Sequence, residues 1–501
     1  MDISSKEING FFNILDQDVF GTLKLNGEDT IITFKSKSPI PRLSDSNYLT
    51  GIGFDHKIIS CLQCVDVGFE QNYHHGGTEF TASVFPHYVS IGDAAVNATE
   101  NAITNICFTT NDLPTLFNDR SAFGHLFGAE NQLKALLTRN HEIIKEHSNI
   151  TWELSLPEIS EAPHLLYWTG KIDIFKCSTE IGVLTVTHSP SFSVDGKSGI
   201  TCTNNITANL DYINPISFEK AIDNISTFAR FFSIVAGRTQ KVSNIKIKTI
   251  ESLPDNYIDI YCSYNSSTSA IPLQDSHDIP LNPIHRSEEF STVLQNWINR
   301  EQDWRIGRIQ YLNGLNKNRS YDTDRLVSAA NAFDILPSKA TIANKVISEQ
   351  YSIARDECIK ILEALPNSED RAAAIGVMKR WGRANLRSKT LHRAEIVKSH
   401  IPQISVGIDR ILILAIKTRN YFVHGSDEFN YKKYEDFLPL FTDALEFVFS
   451  ASDMIECGWE PNLWLKSRPL YAHNYSCFIN SFKKEINLIK LVSGEAKHWP
   501  T

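Results

Sequence analysis

The sequence lacks most of the features that mark common protein classes. No eighteen apolar residues run together, so no membrane-crossing helix is expected. The N-terminus, MDISSKEINGFF, has no cationic start followed by an apolar stretch, so no export signal is expected and the expected location is cytoplasmic. Cysteines number only nine, scattered from Cys61 to Cys477, which suits reduced thiols and no disulfide framework. Positive charge is in deficit: 49 Lys and Arg against 58 Asp and Glu leave a formal charge of −9, so any contact with nucleic acid must use a local basic patch. The chain has no GxxxxGK[ST] phosphate loop, no GxGxxG after a strand, no HExxH and no GxSxG, and the common nucleotide-binding and hydrolase signatures fall away with them. Internal repeats and low-complexity tracts are also missing.

What is present is a 501-residue chain, 42% apolar, with material for two or three domains. Up to about residue 285 it reads as strands. GTLKLNGEDTIITFKSK is a hairpin turning at NGED; FTASVFPHYVSIGD, ITWELSLPEI, GVLTVTHSPSFSVDG and SNIKIKTIES are β-branched or aromatic runs broken by Gly, Pro, Asn and Asp. One helix is expected among them, in SFEKAIDNISTFARFFSIVAG, where Ile222, Ile225, Phe228, Phe232 and Val235 recur at helical spacing and Gly237 suits a C-terminal cap.

The polar segment AIPLQDSHDIPLNPIHRSEE, with Pro272, Pro280 and Pro283, then marks a boundary. Helical stripes follow: Phe290, Val293, Leu294, Trp297 and Ile298; Leu326, Ala330 and Phe333; Ile353, Ile359 and Leu362; and Phe437, Phe441, Leu445, Val448 and Ile455, with Pro439 in the first turn of the last helix and Gly458 able to cap it. The expected fold class is α+β: a β-rich domain over residues 1–284, then an all-α helical bundle over 285–501.

Two features offer binding chemistry. Cys61 and Cys64 form a single CxxC, followed by His74 and His75; a structural zinc site normally draws on two such pairs, so the alternatives are a zinc pair or two cysteines in a strand. His473 and Cys477 could complete such a site only if the fold brought the two ends of the chain together. The stretch 371–400 holds Arg371, Lys379, Arg380, Arg383, Arg387, Lys389, Arg393 and Lys398 against Glu395 alone, a net +7. It is either an RNA-binding patch, carried by Lys379, Arg380, Arg383, Arg387 and Arg393, or a solvated helix face.

The segment ILILAIKTRNYFVHGSDEF, residues 411–429, is different in kind. Five Arg–His pairs of similar spacing occur in the chain, so spacing alone singles out none. Only Arg419 is followed at once by asparagine, ends a strongly apolar helix (Ile404, Ile408, Ile411, Leu412, Ala415, Ile416) and leads through HGSDEFN into another amphipathic helix. On an ideal helix Asn420 and His424 share a face, whereas Arg419 and His424 diverge by about 140°, so the arginine must reach round or the helix must loosen at Gly425.

RNYFVH in this setting resembles the motif of the HEPN nuclease superfamily. The wider chain, with GTLKLNGEDTIITF, ISFEKAIDNISTFARFFSIVAGR and DRLVSAANAFDIL, resembles the ApeA family of bacterial anti-phage proteins, in which a β-rich domain precedes a HEPN domain. The resemblance implies a metal-independent endoribonuclease that acts as a homodimer through the HEPN domain and aborts infection by cleaving cellular RNA, tRNA among it. No cofactor is implied, and the large β-rich domain becomes the candidate sensor of a phage-derived trigger. The side chains fit: RNA supplies its own 2′-hydroxyl nucleophile, so cleavage needs an acid or base that titrates near neutrality and a cation for the phosphorane. His424 and Arg419 are of those types, and Asn420 would hold a phosphate oxygen or orient His424. Asp334, on the early helix, either steers Arg419 or His424 or is a solvated carboxylate at a helix end. Two other readings are a non-catalytic HEPN dimer whose β-rich half binds a ligand, and an RNA-binding module without cleavage.

Overall fold

A computed structural model describes residues 6–14, 17–42, 47–75, 77–147, 157–195, 199–253, 256–264, 276–341, 348–381, 384–425, 429–469 and 473–493. Strands β1 (Lys6–Ile14), β2 (Gln17–Leu25), β3 (Ile31–Ser36), β4 (Tyr48–Gly53), β5 (Ile58–His74) and β6 (Gly77–Gly92) pair antiparallel in the spatial order β1–β2–β3–β6–β5–β4. β4 pairs back onto β1, so the ring closes into a six-stranded barrel and these strands have no free edge. Alternation along each strand fills it: Ile8, Phe12 and Ile14 from β1 meet Val19, Leu23, Ile32, Phe34 and Val84 inside. Where β1 closes on β4 there is no room for a side chain at Gly10, since a Cβ there would collide with the Ile52 carbonyl.

β6 belongs to two structures. Its first part pairs with β3 at Phe80–Val84, and its later part, Tyr88–Ile91, pairs with β14 (Ile258–Cys262). Pro86 stands between those two ladders, opposite Cys64 of β5. From β14 an open sheet continues through β13 (Val242–Thr249), β7 (Ile103–Thr110), β12 (Gly199–Ile216) and β11 (Gly182–Asp195) to β10 (Asp173–Thr179). β8 (Phe123–Phe127) and β9 (His164–Trp168) make a separate ribbon. The half thus holds the expected hairpin and strands, but among the described residues three helices instead of one: α1 (Leu113–Leu116), α2 (Glu130–His147) and α3 (Phe218–Ala236). Most of ITWELSLPEI, and Pro272, fall outside the described residues.

α3 is built as its sequence dictates. The Ser217 hydroxyl caps its start by accepting from the Lys220 N–H, and Gly237 ends it at φ 67°, left-handed backbone that glycine adopts without strain. A Cβ at Gly237 would also stand 2.7 Å from His473 Nε2. The apolar face of α3 covers the open sheet, with Phe228 against Phe108.

All-helical chain follows: α4 (Ser287–Asn299), α5 (Glu301–Asn316), α6 (Thr323–Asp334), α7 (Glu349–Glu363), α8 (Glu369–Arg380), α9 (Leu386–His400), α10 (Ile408–His424), α11 (Leu438–Glu456), α12 (Pro461–Leu465) and α13 (Asn474–Ser493). α6, α9, α10 and α11 pack together, and the apolar stripes read from the sequence on α4, α6 and α11 are buried. α7 and α8 pack on each other and bury no residue completely, so Ile353, a member of the third stripe, is exposed. One apolar core runs from the open sheet through α3 into the bundle, without a break at the change from strand to helix.

Charge is also buried in that core. Arg308 on α5 and Asp453 on α11, both fully buried, pair at 2.9 Å, and Glu301 bridges Arg308 to Arg230 of α3 at 2.7 and 2.6 Å. Removing one partner of such a pair leaves a desolvated charge alone. Asp453→Ala is therefore expected to cost about 3–5 kcal/mol, read as a lower urea midpoint for the full chain; an unchanged midpoint would show that Arg308 finds another partner.

Candidate active site

α10 carries the motif at its outer end. Ile408, Ile411, Leu412 and Ala415 are wholly buried among the neighbouring helices, which fixes the rotation of α10. Its last turns emerge from the core: Arg419 and Asn420 are half-buried and His424 is exposed. Gly425 ends the helix in left-handed backbone at φ 66°, its N–H donating to the Tyr421 carbonyl.

The helix stays regular to His424, and the arginine reaches round. One guanidinium nitrogen, Nη1, lies 3.2 Å from Asn420 Oδ1 and 3.4 Å from His424 Nε2, while Nη2 donates to Asn331 Oδ1 on α6 at 2.8 Å. An arginine N–H can only donate, so this arrangement uses the His424 tautomer whose Nε2 carries a lone pair. Arg419 Nε is buried and makes no hydrogen bond. Every partner of this guanidinium is neutral, and among the described residues no carboxylate comes within ion-pair distance. Arg230, Arg238, Arg300, Arg305, Arg308, Arg325 and Arg393 by contrast each pair with a carboxylate. A half-buried cation that meets no carboxylate among the described residues has the chemistry to pair with an anion.

Asn331 was not singled out by the sequence reading; Asp334, one turn further along α6, was. Asp334 turns to α9 instead, with Lys389 Nζ 3.7 Å from its carboxylate and 2.6 Å from its carbonyl oxygen. The signal available beforehand was only that Asn331 and Asp334, three apart, share a face of α6.

The basic stretch does not form one surface. Arg393 is no RNA ligand: it is completely buried, pairs with Glu456 at 2.8 Å, donates to Ser452 Oγ at 2.9 Å and lies over the Trp304 ring, and burial lowers its pKa. Lys398 is held by Glu395 and Asp409. Lys379, Arg380 and Arg387 are exposed, whereas Arg383 lies outside the described residues.

Cys61 and Cys64 both point into the barrel, because Gln63 between them takes a positive φ of 52° and resets the alternation. Burial pushes both thiols up, that of Cys64 to about 12, which opposes the thiolates zinc requires. The side chain of His74 lies outside the described residues. His473, fully buried, packs instead under the end of α3. Among the described residues no three His, Cys, Asp and Glu side chains are placed to hold a metal ion, and no helix is long and apolar enough to cross a membrane.

A β-rich half joined to a helical bundle with an Arg–Asn–His end to one helix defines a recognisable class, and comparison with known families agrees. Residues 327–463 match the family described as Apea-like HEPN. Residues 7–297 match ApeA N-terminal domain 1, and because this match spans more than half of the chain, the protein belongs to the ApeA family. Neither curated proteins nor solved structures give a match.

Burial separates the basic residues in a way that can be measured. Arg393→Ala should lower the thermal midpoint clearly by stranding Glu456 and unpacking Trp304, whereas Arg387→Glu, on the surface, should leave it nearly unchanged. Equal shifts from the two variants would contradict this division.

Proposed function

We propose that the protein is an endoribonuclease of anti-phage defence whose active site is Arg419, Asn420 and His424, positioned by Asn331, and which cleaves RNA by attack of the 2′-hydroxyl without need of a metal. The observation that carries the reading is the half-buried Arg419 guanidinium, which pairs with no carboxylate among the described residues and lies in reach of an exposed imidazole. A scissile phosphate supplies the missing negative charge. On binding, the guanidinium turns toward the phosphate and releases His424 Nε2, whose lone pair takes the proton of the 2′-hydroxyl. The 2′-oxygen bonds to phosphorus, the bond to the 5′-oxygen breaks, and that oxygen takes a proton from an acid. Arg419 and the Asn420 amide stabilise the charge on the phosphorane. The RNA itself supplies the nucleophile, so no metal hydroxide is needed.

Base and acid are two groups, and the site offers one histidine. A homodimer that brings two copies of the α10 end together supplies the second. Val423, next to His424, and Ile335, next to Asp334, are 44% and 41% exposed and give this end of the bundle an apolar surface for such a contact. Lys379, Arg380 and Arg387 are the exposed candidates for the RNA backbone, tRNA being the expected substrate. The domain division at residue 285 then has a functional meaning: residues 1–284 sense a phage-derived trigger and residues 285–501 cleave.

Incubation with total RNA in EDTA should yield fragments ending in a 2′,3′-cyclic phosphate and a 5′-hydroxyl, with DNA untouched. His424→Ala is expected to lose about 10²- to 10⁴-fold in rate and Arg419→Ala about 10²- to 10³-fold, with folding intact. Cleavage that requires Mg²⁺, or is unaffected in the His424 variant, would remove the assignment.

A second expectation concerns assembly. Light scattering at micromolar concentration should give the mass of two chains, and Val423→Glu should yield monomers with little nuclease activity. A fully active monomer would rule out the two-histidine scheme.

A further inference from the structure

The hairpin of α7 and α8, inserted between α6 and α9, buries none of its own residues completely and keeps two large rings at its foot. Tyr351, in the first turn of α7, and Trp381, just past the last turn of α8, meet with ring centroids 6.0 Å apart and planes tilted by 57°. They are 59% and 45% exposed, whereas Trp297, Trp304, Trp459 and Trp464 are buried. Charge is sorted along the same hairpin. Glu363, Glu369 and Asp370 stand at its tip, where Arg371 donates to the Glu363 carbonyl at 2.8 Å. Lys379 and Arg380 stand at its foot, and Arg387 follows in the first turn of α9; all three are exposed, and none forms an ion pair among the described residues. Glu349 is the one acid in the first turn of α7, and Asp356, further up, is held by Arg355 at 2.9 Å. The foot lies at the end of the bundle that carries the motif. Trp381 is three residues, or at most ~11 Å of chain, from Ala384, and Asn385 then caps α9. One turn into α9, Lys389 donates to the Asp334 carbonyl at the end of α6, one turn beyond the Asn331 that holds Arg419.

We propose that Tyr351 and Trp381 form a stacking subsite for an unpaired base of RNA, with Lys379, Arg380 and Arg387 on the adjoining phosphates, so that the substrate is a single strand or an open loop and not a duplex. The link to cleavage rests on the ribonuclease reading. A polyanion complements three cations that stand beside one acid. The rings add what phosphate contact alone does not require: every base has a π-face, and a base outside a duplex gains by stacking on an aromatic side chain. A duplex keeps its bases stacked on one another and presents none of those faces. Stacking reads no hydrogen-bond pattern, so the subsite selects for an unpaired base and tolerates any of the four. Val377, one turn before Trp381, is also exposed and extends the apolar surface beside the rings.

Binding is measured on the full chain carrying His424→Ala, so that the RNA stays intact, by fluorescence anisotropy of a short labelled single strand and of the same strand annealed to its complement. The single strand should bind more tightly. Trp381→Ala should weaken it by about tenfold or more, the size expected of one stacked base, and should leave the salt slope unchanged. Lys379→Ala combined with Arg380→Ala should flatten that slope. Trp381→Phe, which keeps a ring, should retain most of the affinity, and part of the tryptophan quenching caused by RNA should vanish with it. The hairpin buries none of its residues completely, so none of these changes should move the thermal midpoint. Equal affinity for strand and duplex, or undiminished binding by Trp381→Ala, overturns the subsite. So does a Trp381→Ala variant that changes the mass of the assembly in light scattering and keeps its RNA affinity, since the rings would then face a protein. With His424 in place, Trp381→Ala should raise KM for single-stranded RNA, and an unchanged KM overturns the link to cleavage. Absence of any cleavage by the wild type, with the binding differences intact, counts against the ribonuclease reading alone.

Discussion

The buried pair Arg308–Asp453 is the constraint around which the helical half is arranged. Both groups are fully desolvated, and neither can be left without the other. Their neighbours share the load: Asp453 also faces Arg300 at 3.5 Å, Glu456 takes Arg300 and Arg393, and Glu301 divides between Arg308 and Arg230. Trp304 sits among three of these guanidinium groups, at 4.3 Å from Arg300, 4.9 Å from Arg393 and 5.7 Å from Arg308. A slide of α3, α5, α9 or α11 by one turn would strand at least one charge. Apolar packing alone tolerates such slides far better, so the charges fix register among the four helices, and α6 and α10 are laid against the frame they define.

That frame explains why the two halves do not behave as beads on a string. Arg230 on α3 reaches Glu301, Arg305 on α5 reaches back to Asp223 on α3, and the apolar core runs through the same contact. The barrel interior is its own cluster, joined to the open sheet through the shared strand β6 and through Leu62 of β5, which packs in the larger core. A movement of the open sheet would pass to α3, and from α3 to α5, without first unfolding anything. A movement of the barrel could act through β6 and through Leu62 of β5, which is part of the larger core.

Much of this was legible in the sequence where a single helix or strand decides its own fate. The apolar periodicity of α3, α6, α10 and α11, the Gly237 and Gly425 ends, and the hairpin at NGED are local properties, and the structure has them. What could not be read is set by distant partners. Closure of β4 onto β1 depends on pairing between separated strands, and the inward turn of both Cys61 and Cys64 depends on one backbone angle at Gln63. Arg393 looked like its basic neighbours because charge patterning along a chain does not reveal which arginine faces Trp304 and Glu456. Asn331 was missed for the opposite reason: a neutral amide in a helix carries no signal until Arg419 is seen against it. Asp334, the more conspicuous side chain, has its own partner in Lys389.

The neutrality of Asn331 is itself informative. A carboxylate at that position would hold Arg419 more firmly than an amide can, and would also cancel the charge that makes it useful. The core shows what this protein does with arginines that serve structure: it gives them aspartate or glutamate. Arg419 receives two amides and an imidazole, which aim the guanidinium and leave its charge unspent. In a chain of net charge −9 whose basic stretch is partly consumed by Glu456, Asp409 and Asp334, long-range attraction for a polyanion is weak. Contact then matters more than long-range attraction: at the end of α10 an anion would meet a guanidinium that is oriented by neutral groups and paired with no carboxylate among the described residues.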